Sequence, residues 1–291
     1  MQSQESKRST RTLVTLRSNY ESLDIERRNT NYGEKEMILD ITMTACRRSE
    51  IVDRTLDSFC KKMFNKLNPL DVRLVVNIDP IGTDKDSNAV FEVCKRYFKT
   101  VLANFPKTPD FPKAFKWCWL NTVNEFVFHL EDDWELLLDV DINDMIALME
   151  ETPSLAYLRL PRWRTDESAC KNWGHWFPWN GKYFQCPKNE RSYLGFSGHP
   201  ALILGEFVSK TAPLLIEGRN PEKQFHYQPL IVKVVNSYDF GVYARQNQPP
   251  AILEIGEKWR LQHGFTKGKD KAFFTRWEME NGENSVENKR F

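Results

Sequence analysis

Between residues 37 and 162 the chain alternates between two periodicities, and this constrains its fold more than any other feature. Short runs of β-branched and large apolar residues, MILDITMT (37–44), DVRLVVNID (71–79), TVLANF (100–105), EFVFHL (125–130) and LAYLRLPR (155–162), read as buried strands. Amphipathic stretches separate them. Ser49 stands where a helix cap belongs, with Glu50 in the first turn and Ile51, Val52, Leu56, Phe59 and Met63 along one face. Val90, Val93, Cys94, Tyr97 and Phe98 mark a second helix, FPKAFKWCWLNTV (111–123) a third and INDMIALMEE (142–151) a fourth. Pro80 and Gly82 are expected to stop the second strand. Strands alternating with helices of this length predict an α/β fold, with a mixed, mostly parallel central sheet flanked by helices. Ligands of such sheets sit at the carboxyl ends of the strands. Those ends carry residues 44–48, Asp79, and the three acids Glu131, Asp132 and Asp133.

Beyond residue 162 the alternation fades. The segment 163–179 carries four Trp among Gly, Pro and Asn, and reads as an irregular loop or hairpin. Its aromatics either pin that loop or offer flat faces to a ligand. YLGFSGHPALIL (193–204) reads as a strand broken by glycine, GEFVSKTAPLL (205–215) as a helix and AILEIG (251–256) as a late strand. Residues 1–35 form a polar arm and 281–291 a polar tail, so one compound domain over 36–280 is expected.

Composition narrows the partners. A net charge of +1 removes any global electrostatic case for nucleic acid or an acidic membrane surface. Only local basic segments, KRSTRTLVTLR (7–17) and TKGKDK (266–271), remain for phosphates. Six scattered cysteines with no CxxC pair argue for a reducing compartment. No apolar run approaches the roughly 18 residues of a membrane span. A soluble, cytoplasmic protein with no membrane partner is expected.

The chemistry concentrates in FVFHLEDDWEL (126–136). Carboxylates side by side at the end of a buried strand are unfavourable unless a cation or hydrogen bonds offset them. The bland reading is that these acids open a solvated loop. The chemical reading is a hard-cation site, since Mg²⁺ and Mn²⁺ favour one or two carboxylates completed by phosphate oxygens. Neither a GxxxxGK[ST] loop nor a GxGxxG turn is present, which suits a nucleotide-diphosphate substrate that brings its own pyrophosphate ligands.

TMTACRRSEIVDRTLDSF, VVNIDPIG, PKAFKWCW and FVFHLEDDWEL, in this order, resemble the nucleotide-binding half of GT-A glycosyltransferases. Family 2-like and N-acetylglucosaminyltransferase-like members, with EDD as a variant DxD motif, are the nearest in pattern. The resemblance covers roughly residues 37–160. It implies a Rossmann-like GT-A domain with a nucleotide-sugar half (36–160) and an irregular acceptor half (161–280). By position it implies that Asp133 ligates Mn²⁺ or Mg²⁺, that Asp132 contacts donor ribose or sugar hydroxyls, and that Glu131 supports them. Asp79 would bond the nucleoside base, Thr44 and Arg47 would lie beside base and pyrophosphate, and Lys113 would reach the phosphates or donor sugar. In the second half, Gly198 and His199 of GFSGHPAL match an acceptor segment. Glu222 of RNPEKQF matches a catalytic base, with Asp166 and Glu167 as rivals. His263 of RLQHGF matches an extra metal ligand, with His226 and His175 as rivals. Trp173 and Trp176 are placed for an acceptor wall.

The implied activity is hexosyl or pentosyl transfer from a nucleotide-sugar, in the first place a UDP-sugar, to an acceptor hydroxyl. The acceptor is a glycan, or alternatively a hydroxylated nucleobase in DNA, which base flipping would expose. The sequence leaves inversion and retention open. A metal-dependent nucleotidyltransferase and a non-catalytic sugar-binding module are the competing readings.

Overall fold

A computed structural model describes residues 39–162, 177–269 and 275–279. The chain divides into Met1–Met37, which lies outside the described residues, and Ile38–Phe291. In the second unit the strands are β1 (Leu39–Arg47), β2 (Val72–Gly82), β3 (Thr100–Asn104), β4 (Phe126–Glu131), β5 (Trp134–Leu136), β6 (Leu155–Arg159), β7 (Phe184–Gln185), β8 (Ala201–Leu204) and β9 (Asp239–Val242). All but β5 join one sheet in the order β3-β2-β1-β4-β8-β6-β9-β7. The first four strands of that order are parallel, whereas β8 runs antiparallel to both β4 and β6. A mixed, mostly parallel sheet with covered faces is thus the observed architecture.

The helices follow the apolar periodicity. α1 (Ser49–Lys62) buries Ile51, Val52, Leu56 and Phe59, and α2 (Asn88–Tyr97) buries Val90, Val93 and Cys94. α3 (Phe111–Leu120) starts at the capping carboxylate of Asp110 and buries Phe115, Cys118 and Trp119. α4 (Ile142–Glu150) follows the Asp141 cap. The second half adds α5 (Gly205–Thr211), α6 (Pro221–Tyr227), α7 (Pro229–Val235), β10 (Ile252–Glu254), α8 (Gly256–Gln262), β11 (Phe265–Lys269) and β12 (Thr275–Met279). β10 pairs antiparallel with β5, tying the late chain to the acidic segment.

Three local expectations are corrected. Ser49 is the first residue of α1 rather than its cap; its N–H and hydroxyl donate to Asp84 at 2.6 and 3.0 Å, so the cap comes from another segment. β2 does not stop at Pro80. Its pairing with β1 slips between Cys46, opposite Asp79, and Arg47, opposite Gly82, so residues 80 and 81 form a bulge that tolerates a proline. Gly82 is required there, because its φ is 137° and a Cβ would lie 2.1 Å from the Arg47 carbonyl oxygen. Strands β5, β7 and β9 have no counterpart among the sequence expectations. The predicted strand over 193–204 is confined to β8, and Arg191–Gly195 coils as a π-helical turn ahead of it.

One buried charge fixes the end of the sheet away from the acids. Asp40 in β1 is fully buried, accepts from Arg73 Nε at 2.7 Å, and takes the backbone N–H groups of Val123 and Asn124 at 2.7 and 3.0 Å. This fastens the α3–β4 turn. Among the described residues, Cys46, Cys60, Cys94, Cys118 and Cys186 are free, and no helix is long and apolar enough to cross a membrane.

Candidate active site

The parallel register brings three strand ends level. Thr44 lies opposite both Asn77 of β2 and Glu131 of β4, and Cys46 lies opposite Asp79. The turn after β4 folds back onto β1, where the Asp132 N–H donates to the Thr44 carbonyl at 3.2 Å. Thr44, Arg47, Asp79, Glu131, Asp132 and Asp133 are therefore gathered at one edge. Arg47 is held by Nε donation to Ser87 Oγ at 3.1 Å.

Asp132 points into the protein. Arg48 donates to it from Nε at 2.8 Å and from Nη2 at 2.5 Å, and the Cys46 N–H adds a third bond at 2.9 Å. The Thr55 hydroxyl holds its carbonyl at 2.7 Å. The same Arg48 Nη2 donates to Asp133 Oδ2 at 3.0 Å. Asp132, Asp133 and Arg48 are only 3%, 6% and 2% exposed, so this arginine is the internal cation that makes two adjacent buried carboxylates tolerable. Asp132 thus takes three hydrogen bonds inside the protein, two at Oδ2 and one at Oδ1. Burial, reinforced by neighbouring Asp132, keeps the Cys46 thiol protonated.

The late chain seals this cluster. Gly256, the first residue of α8, packs so closely on Asp133 that a Cβ would fall 2.1 Å from Oδ2. The Ile255 N–H donates to the Asp133 carbonyl at 2.8 Å. One turn on, Trp259 lies 5.5 Å from the Arg48 guanidinium and donates its indole N–H to Glu50. His263 follows the last residue of α8 and stacks on Trp259 with ring centroids 4.4 Å apart, its Nε2 4.0 Å from Glu50. The contact with Asp133 is made at the opposite end of α8, roughly 10 Å of helix rise away. The contacts of His263 among the described residues are with Trp259 and Glu50.

On the nucleotide side, Asp79 accepts from Asn77 Nδ2 at 2.8 Å and from the Asp110 N–H at 3.1 Å. Burial outweighs these bonds and lifts its carboxyl to about 6. Lys113 pairs with Asp110 at 3.3 Å, so Asp79, Asp110 and Lys113 form one chain of contacts while the lysine stays largely exposed.

On the other side, Gly198 faces Glu131: a Cβ there would lie 3.2 Å from Oε1. His199 packs edge-on against Trp134 at 5.3 Å, with Nε2 3.4 Å from Arg162 Nη1. Arg162 in turn pairs with Glu254 and lies over the Trp134 ring. Tyr157 donates to the Ser197 carbonyl at 2.5 Å, and Glu222 lies within electrostatic reach of that phenol, helping burial to push it up to about 12. Asn220 caps α6 and so fixes the turn that carries Glu222. The rival His226 approaches the Phe196 carbonyl at 3.1 Å. Trp173, Trp176, Asp166, Glu167 and His175 lie outside the described residues.

A divalent cation fits this donor set in one way. Asp133 Oδ2 is taken by Arg48, whereas Oδ1 takes no hydrogen bond among the described residues. No group of three or more His, Cys, Asp or Glu capable of holding a metal occurs among them. Asp133 Oδ1 is a carboxylate oxygen that could meet a cation drawing its other ligands from a diphosphate and water. Arg48, Gly256 and Trp259 are the contributors that sequence patterning missed. Arg48 sits beside Arg47 in the motif, but Gly256 and Trp259 carry no local signal.

No protein-family model matches the chain, and no curated protein matches it. Solved structures of similar fold include S. aureus TarS, 11% identical with a TM-score of 0.50, covering 75% of this chain and 36% of that one. TarS 1-349 in complex with UDP-GlcNAc is 12% identical with a TM-score of 0.49, covering 81% and 60%. The mannosyltransferase PcManGT from Pyrobaculum calidifontis, in complex with GDP-Man and Mn²⁺, is 10% identical with a TM-score of 0.47, covering 78% and 60%. The chain spans between about a third and three-fifths of the length of these proteins. The likeness to TarS concerns the fold, and the chain has a GT-A-like fold.

Proposed function

We propose that the chain is a glycosyltransferase that moves a sugar from a nucleotide-diphosphate donor, a UDP-sugar in the first place, to an acceptor hydroxyl. The observation that carries this reading is the division of labour at the end of β4. Asp132 is spent on Arg48, while Asp133 keeps one oxygen at the edge where Asp79 also ends its strand. Asp133 is the residue that would hold Mn²⁺ or Mg²⁺, and a bound cation would neutralise charge on the departing diphosphate. Asp132 is a positioning residue that fixes the turn. Asp79 receives the nucleoside base, with Thr44 and Arg47 beside it, and Lys113 reaches toward the phosphates from the first turn of α3. Arg47 and Lys113 add positive charge near the leaving group.

Glu131 supports the reacting sugar, with Gly198 leaving room for it and His199 next in line on the acceptor side. If the configuration inverts, Glu222 takes the acceptor proton; its helix is anchored by the Asn220 cap close to Tyr157 and Ser197. A glycan is the proposed acceptor, and the proposed location is the cytoplasm. The competing sugar-binding module predicts nucleotide-independent sugar binding and no turnover.

Incubation with a panel of nucleotide-sugars and Mn²⁺, with nucleoside diphosphate release monitored, tests the reading. Turnover that falls by about 10²–10³-fold in Asp133→Ala, as expected when a preorganised charge-stabilising contact is lost, and persists in a distant surface variant would support it. Absence of both turnover and thermal stabilisation with every donor would refute it.

A further inference from the structure

Asn77 interrupts the most apolar strand of the sheet. Val75, Val76 and Ile78 beside it in β2 are fully buried, and Asn77 itself is only 1% exposed. A carboxamide is depleted in strands and is unfavourable at such a place unless its polar atoms find partners. Here both ends do. Asn104, its register partner in β3, donates from Nδ2 to Asn77 Oδ1 at 2.6 Å, and Asn77 Nδ2 donates to Asp79 Oδ1 at 2.8 Å.

The last member fixes the direction of this chain of donors. An ionised carboxylate only accepts, so Asn77 turns its nitrogen to Asp79 and its oxygen to Asn104, which must then supply nitrogen. Asn77 and Asp79 alternate to the same face of β2, and the register sets Asn104 beside them. The backbone leaves β3 at Asn104 and returns at Asp110, whose N–H donates to Asp79 Oδ2 at 3.1 Å. The β3–α3 connection therefore grips Asp79 from both of its ends, through Asn77 on one oxygen and directly on the other. That orients the carboxylate, whose remaining lone pairs take no further hydrogen bond among the described residues.

A fixed acceptor discriminates between ligands. On the reading that Asp79 faces a nucleoside base, the pairing edge of that base must bring a donor. Uracil and guanine carry a hydrogen on the ring nitrogen of this edge, whereas cytosine and adenine present a lone pair there, which a carboxylate repels. We propose that Asn77 and Asn104 are positioning residues that hold Asp79 as an oriented acceptor for a base with a ring N–H. They thereby favour uridine or guanosine diphosphate donors over cytidine or adenosine ones.

Calorimetric titration with UDP, GDP, CDP, ADP and inorganic pyrophosphate, each with Mn²⁺ at pH 8, tests it. At that pH Asp79, lifted by burial to about 6, is ionised. UDP or GDP is expected to bind about tenfold tighter than CDP and ADP, the scale of one hydrogen bond to a charged group. Asn77→Leu removes the donor at similar size. Asn104→Asp puts an acceptor where the relay starts, so that it competes with Asp79 for the Asn77 nitrogen. Residue 104 is half-buried at a strand end, so this variant reads the relay even where Asn77→Leu unsettles the sheet. Each variant is expected to cut the preference to about threefold or less, with pyrophosphate bound as in wild type. Equal affinity of the wild type for all four nucleotides, or a preference kept in either variant, overturns the proposal and leaves the glycosyltransferase reading standing. A parallel loss of pyrophosphate and nucleotide affinity in Asn104→Asp also overturns it, since the pair is then structural only. Absence of binding by every nucleotide in wild type refutes both.

Discussion

Replacing Arg48 by methionine is the sharpest test of how the acidic turn is held. Methionine keeps much of the length and removes the charge. The wild-type arginine makes three bonds to two carboxylates, at 2.8, 2.5 and 3.0 Å, with all three residues nearly inaccessible to water. In the variant, Asp132 keeps only the Cys46 N–H, at 2.9 Å, and faces Asp133 without a counter-charge. Removing one partner of a buried pair destabilises by about 3–5 kcal/mol. With a urea m-value of about 3 kcal/mol/M, that moves the unfolding midpoint down by about 1–2 M. The loss has a pH signature. Without the guanidinium, burial and Asp133 hold the folded-state pKa of Asp132 above its unfolded value. The folded variant then binds the extra proton, and its stability falls as pH rises through that range. Urea midpoints followed by circular dichroism between pH 5 and 8 should therefore show the deficit widening toward pH 8. Arg48→Met combined with Asp132→Leu removes both charges and should recover most of the loss. A midpoint shift below about 0.3 M, under 1 kcal/mol by the same m-value, or a deficit independent of pH, would refute the internal-cation account.

Gly256→Ala would ordinarily favour a helix by about 1 kcal/mol; here its Cβ meets Asp133 Oδ2 at 2.1 Å, so a loss of about 1–3 kcal/mol from overpacking is expected. A weaker nucleotide–Mn²⁺ affinity by calorimetry should accompany it, and a stabilised variant would contradict the close packing. Asp79, with its carboxyl raised to about 6 by burial, makes the folded state bind a proton more readily than the unfolded one. Its contribution is full below about pH 4 and is lost as pH rises to about 6, on the order of 3 kcal/mol; Asp79→Asn should remove that slope in denaturation curves. Nucleotide affinity should rise over the same interval as the carboxylate forms. Buried His129 runs the other way, since burial lowers it to about 3. The unfolded chain takes the proton first, so stability is full above pH 6.5 and is lost as pH falls toward 3, about 5 kcal/mol in all. The difference in unfolding free energy between wild type and His129→Leu should therefore shrink on acidification, and a pH-independent difference would show that the ring is not held neutral.

The first half of the fold was legible because each strand and helix there carries its own periodicity. Val75, Val76, Phe128 and Leu130 are buried on both faces of the central sheet, and a continuous apolar run is the local mark of that position. The second half was less legible because its strands are short. β7 has two residues, and β9 contains Gly241, whose missing Cβ admits the Tyr183 ring. Ser49 misled for a related reason: a serine before a helix usually caps it, but Asp84 fills that role from another segment.

By itself the sequence determined the order of strands and helices, and from it the edge where Asp79, Glu131, Asp132 and Asp133 gather. Parallel strands joined by right-handed crossovers leave their carboxyl ends on one side. Only the tertiary structure decided which partners each acid has there. Three neighbouring carboxylates are equivalent as letters, and they separate when Arg48, 84 positions earlier than Asp132, takes two oxygens of one and one oxygen of the next. Gly256, reaching Asp133 from late in the chain, packs against the oxygen that Arg48 takes. Such distinctions rest on contacts across long sequence separations, where burial makes each hydrogen bond matter and no local pattern records it.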